Sequence, residues 1–429
     1  MLLGTVNRVL AAGFCLAGAW AALLGSSPKA AKTLTIVVAG DTLGYLSPCG
    51  CTEPMTGGIA RLGTTIRRAR SAGPTVLLYT GRLVAGLNRQ DVLKAETLAR
   101  ALGAWNVTAE NLSEADARLG QGELLTLSRF THQRIITSSI RPSTSNELPA
   151  TCEDSGLMIG GVAIGADKLA ADLEEEPVAL DEAVKQILQR SKVRHESPIL
   201  MLDADRDTAV SVARRYPKLR LVTYRSTGRP PMRIETVGPV VLATPGEGGQ
   251  YLVTLSLDSS GRLAYNPPIS LTPAIPDDPA TAGVYRDYLR QVTSERLWDS
   301  FPRQPGPAFV GSAKCAPCHR EAYDVWVRSA HHGAYETLQH QGHALDPDCV
   351  PCHVVGGAFR TGFRSTAATP ELASVGCESC HGSSSLHAGN PRQFRLPGKG
   401  RSMCQSCHES LNSPNFDFSL YWPRIRHGM

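Results

Sequence analysis

The sequence has little charge of either sign and few aromatic residues. Of its 429 residues, 19% are charged and 6% are aromatic, and the formal net charge is +5. It contains no block of Lys or Arg, so it lacks the basic surface that would predict a nucleic acid as the main partner. A hydrophobic content of 42% excludes a disordered chain, and the length predicts two or three domains.

Long apolar runs are also absent after the first residues. Met1 to Arg8 carries one positive charge and Val9 to Gly25 is apolar, which is the layout of an export signal. The run is at the short end of what spans a bilayer, so an uncleaved N-terminal membrane anchor is the alternative. We therefore expect residues 1–30 to direct the protein to the periplasm or to the outer face of the cytoplasmic membrane.

Histidine and cysteine are scarce before residue 315. Ten of the twelve His and eight of the twelve Cys lie between Cys315 and Met429, where they form four copies of Cys-x-x-Cys-His. This is the attachment motif of c-type haem. The two thiols meet the two vinyl groups of one porphyrin, and the imidazole that follows becomes the proximal ligand of the iron. The motif residues are Cys315, Cys318 and His319; Cys349, Cys352 and His353; Cys377, Cys380 and His381; and Cys404, Cys407 and His408.

Paired cysteines have two other common uses, zinc sites and disulfides. Neither use requires His directly after every second Cys. At 12 His in 429 residues, four such coincidences have a probability on the order of one in a million. We therefore predict four c-type haems, close enough to one another for electrons to pass between them.

Six further His in this stretch are candidate distal ligands: His331, His332, His340, His343, His387 and His427. His331 follows His319 on a segment with helical spacing, at a rise of about 18 Å, so we expect it to reach a neighbouring haem and not its own. For His340 and His343, which lie in a polar stretch, we expect surface or packing roles.

Longer strings around the motifs are more specific than the motifs themselves. They include Phe309-Val-Gly-Ser-Ala-Lys-Cys315, Val375-Gly-Cys-Glu-Ser-Cys-His-Gly382 and Tyr421-Trp-Pro-Arg-Ile-Arg-His427. Through them, residues 309–429 resemble the tetrahaem cytochromes of the c-554 type. The resemblance implies a compact, mostly helical module that passes electrons between periplasmic partners. It also implies His331, His387 and His427 as distal ligands and a five-coordinate haem on Cys349 and Cys352, unless His343 closes that haem.

Residues 33–273 alternate short β-rich runs with helical ones, which is typical of an α/β layered fold. Strand-like runs are Leu34–Ala39, Thr75–Leu78, Pro198–Leu202, Leu219–Thr223 and Val240–Ala243; helical runs are Ile59–Ala72, Asp91–Leu102, Leu180–Ser191 and Thr208–Tyr216. Residues 274–308 are expected to hold a linker and a helix over Thr281–Leu297, and the haem domain is expected to begin at residue 309.

The first strand of this region is followed by Gly40-Asp41-Thr-Leu43-Gly44. The layout resembles the 5′-nucleotidase branch of the metallophosphoesterases, in which Asn-Asp-x-His-Gly and later strand ends supply a two-metal site. Here Leu43 replaces the His, Tyr79 and Arg82 stand where two Asp belong, and Leu112 follows Asn111 in place of His. The resemblance therefore implies that the fold is kept and the phosphatase activity is lost.

Cys49 and Cys51 lie in the string Pro48-Cys49-Gly-Cys51. Two Cys one residue apart form at best a strained disulfide, and strained disulfides are easily reduced. In an exported protein with four haems, this predicts a redox pair. A pair of packed thiols, a disulfide from one of them to Cys152 and a soft metal site remain open alternatives.

The sequence thus predicts a metallophosphoesterase-like α/β domain joined to a mostly α-helical multihaem cytochrome c domain. The first hypothesis is an exported electron carrier between periplasmic redox proteins, either other cytochromes or dehydrogenases. The second is an oxidoreductase that acts on a small molecule at an open haem or at the Cys49/Cys51 pair. A metal-dependent phosphoesterase is the third.

Overall fold

A computed structural model of the protein describes residues 33–48, 54–141, 148–396, 401–409, 411–413 and 415–428. The expected export signal, residues 1–30, and the Cys49/Cys51 pair lie outside the described residues. Within these ranges, no helix combines the length and the apolar character that crossing a membrane requires.

The first domain is built on two β-sheets. The strands are β1 (Leu34–Ala39), β2 (Thr75–Tyr79), β3 (Ala109–Asn111), β4 (Ile135–Ile136), β5 (Thr151–Asp154), β6 (Leu157–Ala163), β7 (Ser197–Asp203), β8 (Leu221–Thr223), β9 (Glu235–Val237), β10 (Val240–Ala243), β11 (Tyr251–Leu257), β12 (Leu263–Tyr265) and β13 (Ile269–Ser270). In the first sheet, β1 to β4 are parallel, and β11 pairs antiparallel with β1, β12 and β13. In the second, β6, β7, β8 and β10 are parallel, with β5 and β9 antiparallel at the two edges.

The helices differ in length between the two parts of the chain. They are α1 (Ile59–Ala72), α2 (Arg89–Ala104), α3 (Glu114–Ala117), α4 (Gln121–Phe130), α5 (Ala166–Asp172), α6 (Leu180–Arg194), α7 (Arg206–Arg215), α8 (Pro279–Ser294), α9 (Arg320–Val327), α10 (Ala334–Gln341), α11 (Val350–His353), α12 (Cys377–His381), α13 (Ser385–Gly389), α14 (Arg401–Cys404) and α15 (Phe418–Tyr421). Among the described residues after α8, no helix is longer than eight residues. The C-terminal domain is therefore made of short helices and turns.

The two sheets pack face to face, and helices cover their outer faces. In β1, Ile36 and Val38 join the apolar cluster between the sheets, whereas Val37 and Ala39 join the cluster that includes residues of α1 and α2. Because side chains alternate across a strand, a strand buried on both faces needs a continuous apolar run, and LTIVVA is one. All five predicted strands and four predicted helices occur, each within three residues at both ends.

The carboxyl ends of β1 and β2 lead into loops at one edge of the first sheet, and helix α2 begins there. The side chain of Asn88 accepts a hydrogen bond from Asp91 N at 3.0 Å, and Asp91 Oδ2 accepts one from Asn88 N at 3.1 Å. This reciprocal cap fixes the first turns of α2, including Gln90 and Lys94, at the carboxyl edge.

Helix α8, which the sequence places in the connecting segment 274–308, packs against α1 and α2. Its Tyr288 and Val292 are buried in the same cluster as the apolar residues of those helices. Just beyond it, Trp298 lies in a second cluster with Tyr335, Val350 and Phe363 of the C-terminal domain. The chain thus passes directly from the core of one domain to the core of the next.

Candidate functional site

Each Cys-x-x-Cys-His motif folds as a helical turn. His319 N donates to Cys315 O, and His408 N donates to Cys404 O, at 2.9 Å in both cases. The second and third motifs lie in or beside α11 and α12. Residues at i, i+3 and i+4 share one side of a turn, so the two thiols and the imidazole of each motif face the same way. Among the described residues, none of the eight Cys of the motifs forms a disulfide bond, and all eight are at least partly exposed.

Three of the four motif imidazoles face a second imidazole across a gap. The ring centroids are 6.1 Å apart for His319 and His387, 6.3 Å for His408 and His331, and 5.9 Å for His381 and His427. A metal bond to a histidine nitrogen is about 2 Å long. Two such bonds to one iron put the nitrogens about 4 Å apart, with the ring centres somewhat farther out. The three spacings therefore suit an iron with two axial His.

Hydrogen bonds orient several of these rings. Nδ1 donates to Ala334 O at 2.8 Å in His353, to Phe394 O at 2.6 Å in His387 and to Ile425 O at 2.8 Å in His427. Because a carbonyl oxygen only accepts, the proton is on Nδ1 and the lone pair is on Nε2. An imidazole held in this way is the usual histidine ligand of a metal.

The motifs lie together in two pairs. The thiol of Cys315 hydrogen-bonds with that of Cys377, and the thiol of Cys407 hydrogen-bonds with that of Cys352. These hydrogen bonds lower the pKa of Cys377 and of Cys407, each to about 6. The first motif is thus adjacent to the third, and the second to the fourth.

The second motif differs from the other three. Among the residues that the structure describes, no second imidazole faces His353 at such a spacing. His343, which precedes Cys349 by six residues, is buried with both ring nitrogens engaged: Nδ1 donates to Asp346 Oδ2 at 2.9 Å, and Nε2 accepts from the Tyr285 hydroxyl at 3.0 Å. Such an imidazole has no lone pair left for a metal.

The donor set fits c-type haem. Helices α12 to α15 bury no apolar side chain within the described part of the protein. Short helices are stable only when they pack against an apolar partner, and a porphyrin held by two thioethers is such a partner. The thiols, the paired imidazoles and this packing all favour haem over zinc.

A second cluster of charged residues lies at the carboxyl edge of the strands of the first domain. Asp41 and Arg82 follow β1 and β2, Asp203 ends β7, and Arg225 follows β8. Arg82 Nη1 lies 2.9 Å from Asp41 Oδ1, and Arg225 Nε lies 2.9 Å from Asp203 Oδ1. Each buried carboxylate is therefore paired with an arginine.

These residues do not fit a two-metal centre. Burial raises the pKa of Asp41 to about 7 against the opposing effect of Arg82, and burial also raises the pKa of Asp203. The two histidines of the domain, His132 and His195, are exposed on other parts of the surface. The sequence pointed to the missing His but not to the two arginine–aspartate pairs, whose signal is an Arg after each of two strand ends.

Of the remaining predicted candidates, Cys152 lies in the cluster between the sheets, where its thiol donates to Thr108 O at 3.3 Å. His332 is exposed and packs edge-on against Trp326, with ring centroids 4.7 Å apart. His340 is exposed beside Glu336. The expected packing role of His343 agrees with its burial.

Residues 314–382 match the family model described as "Cytochrome c554 and c-prime". Cytochrome c-554 of Nitrosomonas europaea is 36% identical over 110 aligned residues, and the match covers 21% of this chain and 47% of that protein. The C-terminal domain is a cytochrome c554-like module. The chain spans about half the length of this curated relative, as the 47% shows.

Solved structures with a similar fold include a sulfate thiohydrolase, a 5′-nucleotidase precursor and an NAD nucleotidase. The sulfate thiohydrolase SoxB of Thermus thermophilus is 13% identical at a TM-score of 0.53, and the match covers 64% of this chain and 62% of that one. A 5′-nucleotidase precursor of Thermus thermophilus is 15% identical at a TM-score of 0.53, and the match covers 72% of this chain and 68% of that one. The NAD nucleotidase of Haemophilus influenzae is 13% identical at a TM-score of 0.53, and the match covers 66% of this chain and 64% of that one.

At these identities the similarity shows the fold alone. The first domain therefore has the α/β fold of the metallophosphoesterases, and the cytochrome c554-like module follows it. Both parts of the predicted fold class are confirmed, and so is the resemblance of each part to its family.

Proposed function

We propose that the protein is an exported multihaem c-type cytochrome that transfers single electrons through four haems between periplasmic redox partners. The observation that carries the proposal is the three imidazole pairs at 5.9–6.3 Å, each of which includes the His of one motif. When bound, each haem supplies the one-electron chemistry of its iron.

The chain's own residues attach and orient these groups. Thioethers form at Cys315, Cys318, Cys349, Cys352, Cys377, Cys380, Cys404 and Cys407. His319, His353, His381 and His408 are the proximal ligands, and His387, His427 and His331 are the distal ligands of the first, third and fourth haem. The carbonyl groups of Ala334, Phe394 and Ile425 keep Nε2 of His353, His387 and His427 available.

Haem content tests this proposal directly. The full chain, matured in a host that attaches c-type haem, should carry four haems by pyridine haemochromogen assay and intact mass. Replacing both Cys of one motif by Ser, as in Cys377→Ser with Cys380→Ser, should remove one haem. The matched control is Cys152→Ser, a buried thiol outside the motifs, which should keep all four. Zinc in place of haem would contradict the proposal.

One observation favours a second function, chemistry on a small molecule at the haem of Cys349 and Cys352. His353 faces no second imidazole among the described residues, and His343 has both nitrogens hydrogen-bonded. An iron without a sixth protein ligand binds small molecules. Carbon monoxide should therefore shift the absorbance spectrum of the reduced protein by the amount expected for one haem in four. If no shift occurs, electron transfer is the only proposed function of the haems that remains.

Cys49 and Cys51 remain a proposed redox pair. The carbonyl of Pro54, three residues after Cys51, accepts a hydrogen bond from Asn415 Nδ2 at 2.9 Å, and Asn415 lies in the segment after the fourth motif. Both thiols should react with a maleimide only after mild reduction of the protein. Equal labelling before and after reduction would contradict a disulfide-forming pair.

A further inference from the structure

A polar cluster joins the two domains beside the second motif, and it is buried except for the half-buried Tyr285 and the exposed Asp348. We name it the junction cluster. It contains two residues of α2, two of α8 and three of the loop before α11: Gln90, Lys94, Tyr285, Tyr288, His343, Asp346 and Asp348.

His343 lies at the centre of the cluster, next to the site of haem attachment. Its Nδ1 is 3.6 Å from Cys349 Sγ and 2.9 Å from Asp346 Oδ2. Its Nε2 accepts from Tyr285, which also hydrogen-bonds with Ser47 of the loop after β1. A continuous set of contacts therefore runs from the first domain to the thiol of Cys349.

Asp346 fixes the same thiol from the backbone side. Its carbonyl oxygen accepts from Cys349 N and Val350 N, both at 3.0 Å. Its Oδ1 accepts from Gln90 Nε2 at 2.6 Å, and the same amide nitrogen donates to Tyr288 OH at 2.9 Å. Asp346 is only 3% exposed, so other residues of the junction cluster, and not water, surround its carboxylate.

The cluster brings opposite charges close to Cys349. Burial acts to raise the pKa of Asp346, but the hydrogen bond from His343 and the charges nearby outweigh it and lower the pKa, so the carboxyl is ionised at neutral pH. Lys94 is also buried; its Nζ pairs with Asp348 and lies 4.0 Å from Asp91 Oδ1. Charges at such sites act more strongly on their neighbours than charges in water do.

We propose that the junction cluster sets the reduction potential of the haem attached at Cys349 and Cys352, and so couples that haem to the first domain. The inference rests on the proposed attachment of haem at this motif. A ferric iron carries one more positive charge than a ferrous iron, so a nearby anion favours the ferric form and a nearby cation favours the ferrous form. Asp346 therefore lowers the potential, and Lys94 raises it.

The test uses the full haem-loaded chain and a potentiometric titration read by absorbance and by the electron paramagnetic resonance of the high-spin iron. The Cys349→Ser, Cys352→Ser variant, which lacks this haem, identifies its signal. Asp346→Asn should raise the reduction potential of this haem by at least about 59 mV, which corresponds to a tenfold change in the ferric–ferrous equilibrium for one electron. Lys94→Met should lower it, because Asp348 then loses its partner. The other three haems should keep their potentials.

Glu336→Gln is the matched control, because this carboxylate of α10 is 71% exposed and screened by water. Shifts of the same sign in the two junction variants, equal shifts in all four haems, or shifts no larger than that of Glu336→Gln would overturn the inference. If Asp346→Asn does not fold, Lys94→Met decides by the sign of its shift. A wild-type haem count below four refutes the proposed attachment instead, so the two failures are distinguishable.

Discussion

Replacement of His427 by Ala is predicted to open a second iron. The His427 ring centroid lies 5.9 Å from that of His381, and its Nδ1 donates to Ile425 O at 2.8 Å. His427 is only partly buried and belongs to none of the buried apolar clusters of the described residues. Its loss should therefore remove a ligand without removing part of the core.

The size of the effect follows from counting open irons. In the wild type, His353 is the one motif histidine that faces no second imidazole among the described residues. This predicts that one haem in four binds carbon monoxide. In His427→Ala, His381 also loses its partner, so the fraction becomes two in four. The carbon monoxide difference spectrum of the reduced protein, divided by the haem content of the same sample, should double in amplitude.

His332→Ala is the matched control, because His332 is an exposed histidine of the same domain that packs against Trp326. It should leave the amplitude at the wild-type value. Added imidazole should close the new site in His427→Ala and return the amplitude toward one haem in four. An unchanged amplitude in His427→Ala at full haem content would refute the pairing of His381 with His427.

Three further predictions concern stability and hydrolysis. Burial raises the pKa of Asp41 from 3.8 to about 7 in the folded protein, so the folded state binds this proton more tightly than the unfolded state does. The resulting stability is complete below about pH 4 and is lost as the pH rises through about 7. Between pH 5 and pH 8, the free energy of unfolding in urea should therefore fall less in Asp41→Asn than in the wild type, by up to roughly 3 kcal/mol, because the range from pH 5 to about 7 contributes about 1.4 kcal/mol per pH unit. Trp298→Ala should lower the free energy of unfolding by about 3–5 kcal/mol, measured by denaturant titration, because the ring is fully buried and its Nε1 donates to Arg364 O at 2.9 Å. Mg²⁺, Mn²⁺ or Zn²⁺ should not induce release of phosphate from nucleotides, because arginines pair with Asp41 and Asp203; metal-dependent turnover in a phosphate-release assay would contradict this reading.

Sequence spacing predicts the motifs of the C-terminal domain but not the partners of their imidazoles. The predicted helical segment that carries His331 is interrupted, because α9 ends at Val327 and α10 begins at Ala334. His331 lies in the turn between them, and the fold brings it next to His408. The same holds for His343. Its polar stretch predicts either a surface or a packing role, and only the contact with Tyr285 of a distant helix shows which of the two it has. Pairing by tertiary contact leaves no periodic signal in the chain.

In the first domain, apolar runs located five parallel strands, β1, β2, β7, β8 and β10, because strands buried on both faces need continuous apolar runs. The sequence patterns missed the other five strands of the first sheet, β3, β4, β11, β12 and β13, and also β5, β6 and β9 of the second. Of these, β11 pairs antiparallel with β1 across more than 200 residues of sequence. The arginine–aspartate pairs were also missed, since each joins residues after two different strands. Local pattern carries no information on such pairings.

The cytochrome c554-like module contacts the edge of the first sheet at which Asp41 and Arg82 lie. The module contacts the first domain through Asp348 on Lys94, Asn415 on Pro54, and Leu411 O, which accepts from Gln250 Nε2 at 3.2 Å. These contacts involve the loops at the carboxyl ends of β1 and β2, the edge where open α/β sheets bind their ligands. Buried carboxylates left there without a counter-charge would each cost several kcal/mol. Arg82 and Arg225 supply that charge without a metal ion, which stabilises the edge that the haem-binding domain contacts.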